Sequence, residues 1–220
     1  MNIFPIQPDD EHTPFPDTDW ALNDPNGLLA FGAQLTPKRL LMAYRNGIFP
    51  WYNPGEPILW WSPDPRCVLW PEHIHISRSL RKLLKKKPFE LRKNSAFSEV
   101  MQACSEPRLD EPSTWISADM KAAYTEMHRL GYAHSIECWM NGELVGGLYG
   151  IQLGSVFFGE SMFSRIANAS KVALVDLAQN HSVSLIDGQV SSPHLHTLGA
   201  TTLPRKEFLA YLQCLIPNTD

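Results

Sequence analysis

The stretch from Ser135 to Ile151 constrains the fold most. SIECWM and ELVGGLYGI are two apolar runs joined by Asn141-Gly142. Asn-Gly supplies the positive φ angles of a two-residue turn, so the segment predicts a tight antiparallel hairpin. Ser155 to Gly159 reads as a third strand, Asn168 to Asn180 as a helix, and SLIDGQV (184 to 190) as a buried strand. Upstream, Ser95 to Glu106 reads as a helix, and Ser117 caps another that ends near Gly131. From about residue 95 the order is helix, helix, hairpin, strand, helix, strand. That predicts an α+β fold with a mainly antiparallel sheet flanked by helices.

The first third differs. It holds 12 of the chain's 18 prolines, so turns should dominate there. One helix is clear: Thr36 caps it, Pro37 suits its first position and Gly47 stops it. The run IFPWYNPGEPILWWSPDPR, Ile48 to Arg66, is too rich in proline for long regular structure and reads as an ordered loop pinned by aromatics. VLWPEHIHI then reads as a strand, a basic segment as a helix, and Pro204 or Arg205 to Leu215 as a closing helix. Two domains are expected: a small loop-rich N-terminal domain over 1–64 and a larger one over 65–220.

With 44% hydrophobic and 19% charged residues, the chain has the balance of a globular protein with a real core. No apolar run approaches the roughly 18 residues of a spanning helix, and the start lacks a basic-then-apolar leader. Cys67, Cys104, Cys138 and Cys214 are scattered with no C-x-x-C pair. Reduced thiols, a cytoplasmic location, no metal and no cofactor are therefore expected.

The net charge of −4 conceals a strong asymmetry. Between Arg78 and Lys93 stand eight basic residues and one acid, Glu90. On a helix, Arg78, Arg81, Lys82, Lys85 and Lys86 fall on one face, and Leu80, Leu83 and Leu84 on the other. Two readings fit that face: a solvated helix surface, or a ridge that contacts a phosphate backbone and releases its counterions.

Trp51, Trp60, Trp61, Trp70 and Trp115, with Tyr44, Tyr52 and Tyr124, are many aromatics for this length. Most should pack in the core. Trp60 and Trp61 are adjacent, so on extended chain they point to opposite sides and at least one is structural. Tyr44, Trp51 and Trp115 lie at element ends and suit a ligand surface better. In SLIDGQV, alternation puts Asp187 and Gln189 on one face. A carboxylate on a core strand needs a partner. Gln189 together with a substrate amine, a neighbouring loop, Arg165 or a histidine would each serve. Glu160, after an apolar strand, is a similar case.

Taken together, GIFPW (47 to 51), ILWWSPDPR (58 to 66), HISRS (75 to 79), TWI (114 to 116), AHSIE (133 to 137), FGESMFSR (158 to 165), NASK (168 to 171) and LIDGQV (185 to 190) resemble the leucyl/phenylalanyl-tRNA–protein transferases. The resemblance runs from about Pro25 to Pro204. It implies a GNAT-like catalytic domain behind a small N-terminal domain, consistent with the element order. It also implies transfer of leucine, phenylalanine or, less well, methionine from tRNA to an N-terminal arginine or lysine, marking proteins for N-end rule degradation.

Carried onto this chain, the resemblance makes Arg78, Arg81, Lys82, Lys85 and Lys86 the tRNA contact. Trp51 and Trp115 would hold the terminal adenosine, with Tyr44 and Tyr124 nearby. Leu148, Phe157, Leu174, Leu177 and Ile186 would form the side-chain pocket. Glu160, Asp187 and Gln189 would stand at the attacking amine. Asp187 is expected to take the amine's proton, directly or through Gln189, while Glu160 holds the amine; positioning alone is the rival mechanism. An acetyl-CoA-dependent N-acetyltransferase on the same fold is the alternative. The stretch SMFSRIANAS (161 to 170), read as the strand-to-helix turn, lacks the glycines that such an enzyme uses to approach pyrophosphate.

Overall fold

A computed structural model describes residues 3–8, 10–107 and 114–217. The ends of both expected domain ranges thus lie partly outside the described residues.

The N-terminal part carries β1 (Phe4–Ile6), β2 (Leu28–Gly32), α1 (Pro37–Arg45), β3 (Phe49–Pro50) and β4 (Leu59–Trp61). Its four strands make a sheet in the order β1-β2-β4-β3. The helix begins as its sequence dictates: Thr36 Oγ1 accepts from the Arg39 amide, and Gly47 turns away with φ of 67°. The sheet itself was not legible. The proline-rich run expected as a loop is partly β3 and β4, paired antiparallel through Phe49–Trp61 and Pro50–Trp60. Strands this short carry almost no periodic signal. Trp60 is fully buried, with Nε1 donating to the Gly32 carbonyl.

The rest follows as β5 (Arg66–Leu69), α2 (Arg78–Lys86), β6 (Glu90–Lys93), α3 (Phe97–Cys104), α4 (Ala118–Arg129), β7 (Ala133–Met140), β8 (Glu143–Leu153), β9 (Val156–Ser164), α5 (Ala169–Asn180), β10 (Leu185–Gln189), α6 (Pro193–Thr197), β11 (Thr201–Leu203) and α7 (Arg205–Leu215). From α3 to β10 this is the order read from the sequence. Seven strands form one sheet, β11-β5-β10-β9-β8-β7-β6. β7 and β8 pair antiparallel around Asn141 and Gly142, both at positive φ. β9 runs on to Ser164, so the first four residues of SMFSRIANAS are strand and not turn. β6, α6 and β11 went unread, each being short.

Apolar side chains bury on both faces of this sheet. α1, α3 and α4 share one core with the N-terminal sheet; α2 and α5 cover the other. The first core runs without a break from Trp60 to Val68 and Phe158, so the two parts of the chain share an interior. No described helix is long and apolar enough to cross a membrane.

Candidate active site

Every neighbouring strand pair in the large sheet is antiparallel except β9 and β10. Their parallel pairing runs from Leu185–Val156 to Asp187–Phe158 and then stops. Two bulges lie just past that point. On β9, Ser161 pairs with Tyr149 and Gly159 with Gly150, which leaves Glu160 as the extra residue. On β10, Asp187 pairs with Val68 and Gln189 with Cys67, which leaves Gly188 extra. Bulges bend strands and re-aim side chains. Gly150 permits the first one: a Cβ there would sit 2.1 Å from the Phe158 carbonyl oxygen.

Where the two strands part, a cavity of about 250 Å³ opens. Leu148, Phe157, Leu174 and Ile186 line it, and Leu69, Met162 and Leu195 complete its apolar wall. Leu177 is buried in the same apolar cluster but is not on the wall. The cavity's polar end holds Glu160, Asp187 and Gln189.

Glu160 is surrounded by neutral donors. Tyr44 Oη donates to Oε1 at 2.7 Å, Gln189 Nε2 to the same oxygen at 2.9 Å, and Tyr124 Oη to Oε2 at 3.1 Å. The two phenol oxygens also touch each other. No cation bonds to this carboxylate among the described residues. Burial pushes its pKa up to about 7, the nearby Asp187 charge adds to that, and the three hydrogen bonds hold it back. Burial likewise raises both phenols well above the usual tyrosine range, so they stay protonated donors. The expected place of Tyr44 and Tyr124 on a ligand surface is corrected: both side chains are fully buried. They reach the site only through their hydroxyls.

Asp187 has different neighbours. Arg66 Nε donates to Oδ1 at 2.8 Å and Nη2 to Oδ2 at 2.6 Å, with both side chains buried. The Gln189 amide donates to Oδ1 as well, at 2.8 Å. Arg66 lies 4.8 Å from the ring centres of both Phe49 and Phe208 and donates to the Gly47 carbonyl. Of the partners considered for Asp187, Gln189 is found, through its backbone amide, while the guanidinium of Arg66 was not among them. Arg165 instead bridges Glu106 at 2.8 Å. Sequence reasoning missed Arg66, although a signal existed. RCVL and SLIDG are apolar strands carrying one opposite charge each, and buried charges need each other.

Gln189 joins the two groups. Its amide holds Asp187, its side chain holds Glu160, and its backbone sits at φ of 60°. A positive φ is uncommon for a residue with a branchless polar side chain and is typical of functional sites.

The remaining expected site residues lie off the cavity wall. Trp51 is 44% exposed and stacks obliquely on Trp61. Trp115 is half-buried against the core of α3 and α4. On α2, capped by Ser77, all five expected cations are exposed while Leu80 is buried. Arg78, Arg81, Lys82 and Lys85 line a separate hollow of about 310 Å³; Lys86 stands outside it. No group of three potential metal ligands occurs among the described residues.

Residues 68–213 match the family model described as leucyl/phenylalanyl-tRNA protein transferase, and residues 33–64 match that of its N-terminal domain. Leucyl/phenylalanyl-tRNA–protein transferases are close in sequence. That of Nitrosomonas europaea is 58% identical across 89% of this chain and 84% of its own. That of Azoarcus sp. is 56% identical across 90% and 86%, and that of Shigella dysenteriae 53% identical across 90% and 85%. Among solved structures, a GCN5-related N-acetyltransferase from Kribbella flavida matches 76% of this chain and 60% of that one, with 12% identity and a TM-score of 0.36. With two family models covering the chain from residue 33 to 213 and relatives above 50% identity along nine-tenths of it, the chain belongs to the leucyl/phenylalanyl-tRNA–protein transferase family.

Proposed function

We propose that this enzyme moves leucine or phenylalanine from aminoacyl-tRNA to the α-amine of a protein that begins with arginine or lysine, and that Glu160 is its proton acceptor. The reading places the enzyme in the cytoplasm, where charged tRNA is made, with residues 1–64 and 65–220 as its two domains. The observation that carries the mechanism is the contrast between the two carboxylates at the strand parting. Glu160 titrates near neutrality and faces the cavity. Asp187 has both oxygens committed to Arg66.

The donor side chain occupies the apolar cavity, which puts the ester beside Glu160. Attack by the neutral amine forms the C–N bond. The amine's excess proton passes to Glu160, and then to the ribose oxygen as the C–O bond breaks. Reactants and products balance without any other reagent. Glu160, Tyr44 and Tyr124 form a closed ring of three oxygen contacts. Three protons fill that ring when Glu160 is neutral and two when it is ionised. A proton is therefore gained or lost without a side-chain rearrangement. Asp187 and Arg66 act as positioning residues that fix Gln189. Trp51 and Trp115 are the proposed adenosine contacts, and the α2 ridge is the proposed tRNA contact.

The test offers leucyl-tRNA with two acceptor peptides, one starting with arginine and one with methionine. Transfer to the first and not the second is expected. No transfer to the arginine peptide rejects the reading.

A further inference from the structure

A second cavity, of about 460 Å³, adjoins the first, and the two share Met162 and His194 on their walls. It lies between the end of β9, the start of α5 and the end of α3. Its charged groups are Arg165, Lys171 and Glu106. Glu106 is taken by Arg165 at 2.8 Å. Lys171 has no carboxylate or hydrogen-bond partner among the described residues, and its charge helps hold the pKa of His194 down, after the burial of that ring. Among the described residues, the cavity's unspent charge is thus positive.

Its buried polar group points the same way. Ser170 lines the cavity and is only 7% exposed. Its Oγ accepts from Ser164 Oγ at 2.8 Å, and its amide donates to that same Ser164 oxygen at 2.9 Å. The Ser170 hydroxyl proton therefore has no acceptor among the described residues. A buried donor without an acceptor calls for one.

Resting on the activity proposed above, we propose that this second cavity holds a backbone phosphate of the tRNA 3′ end, with Lys171 as counter-charge and Ser170 Oγ–H as hydrogen-bond donor. A donor whose aminoacyl group fills the first cavity finds the second one directly beyond the shared wall at Met162 and His194, open to its nucleotide chain. A phosphodiester oxygen accepts from both free groups there. An acceptor protein's first residue, arginine or lysine, carries two cations and meets an unpaired lysine in this cavity, so the sign of the charge disfavours it.

The test compares leucyl-adenosine, which has no phosphodiester, with a leucylated 3′ trinucleotide, using wild-type enzyme, Lys171→Ala and Lys171→Arg. The trinucleotide's advantage in kcat/KM should fall about tenfold in Lys171→Ala, the scale of one charge-assisted hydrogen bond, and return in Lys171→Arg. The log–log salt slope should shrink by about 0.7, as for one single-strand phosphate contact. KM for the acceptor peptide should not move. An unchanged advantage and slope overturns the proposal. So does a shift confined to the acceptor KM, which would assign the cavity to the protein substrate. If wild-type enzyme transferred nothing, the activity reading alone would fall. Calorimetry of the uncharged trinucleotide would then decide the phosphate site, with Lys171-dependent binding supporting it and Lys171-independent binding rejecting it.

Discussion

Two carboxylates stand on neighbouring strands, at the place where the parallel pair comes apart, and they face different neighbours. Asp187 meets a guanidinium, donated to through two bonds and clasped between two phenyl rings. Glu160 meets two phenols and an amide. Asp187 is fully buried and Glu160 half-buried, and burial of its carboxyl pushes Glu160 up to about 7. A full opposite charge offsets desolvation and fixes the ionised form; neutral donors offset it only in part. Proton transfer needs the second arrangement. A rigid frame needs the first.

The strongest way to break this comparison is Glu160→Gln. The isosteric amide keeps the packing and removes the proton acceptor, so single-turnover transfer should fall by roughly 10² to 10⁴, the usual worth of a positioned acid–base group. Donor binding should be retained. A loss confined to binding would make Glu160 a positioning group.

Asp187→Ala tests the frame. It leaves Arg66 charged and buried, which should cost about 3–5 kcal/mol in denaturant unfolding. Replacing Arg66 and Asp187 together, by Met and Leu, should recover most of that. If the single change left stability intact, the pair would not be structural.

The comparison is sharpened by pH. Transfer should lose activity as pH falls through about 7, because Glu160 becomes protonated there. Tyr44 stabilises the ionised form, so Tyr44→Phe should move this acid limb to higher pH. The acceptor amine also titrates near pH 8, but Tyr44 does not touch it in the free enzyme. A limb that fails to move in Tyr44→Phe would belong to the amine. The smallest effect is expected from Gln189→Leu. It removes one of three donors to Glu160 while leaving the amide that holds Asp187. A few-fold slower transfer and a small shift in the same direction should follow, read from kcat against pH. A loss as large as that of Glu160→Gln would instead make Gln189 part of the proton path.

Much of this molecule was legible because its signals are local. The Asn141-Gly142 turn, the caps at Thr36 and Ser117, and the apolar stripe of α2 each depend on residues a few positions apart. The ordered motifs carried the family. Leu177, assigned to the pocket through the resemblance, lies in the same apolar cluster behind the wall, because a matching motif does not say which neighbour a residue faces. The extension of β9 through Ser164 was missed because its bulge interrupts the alternation on which a strand is recognised.

By itself, then, the sequence determined the order of the elements from α3 to β10, the basic face of α2 and the family, since these rest on spacing within short segments. Only the tertiary structure decided what the acids do. Arg66 and Asp187 are 121 residues apart, and Tyr44 and Glu160 are 116 apart. The identity of a charged group's partner is set by which strands pair and where they bulge, and that partner decides whether the group is held as an ion or left to exchange a proton.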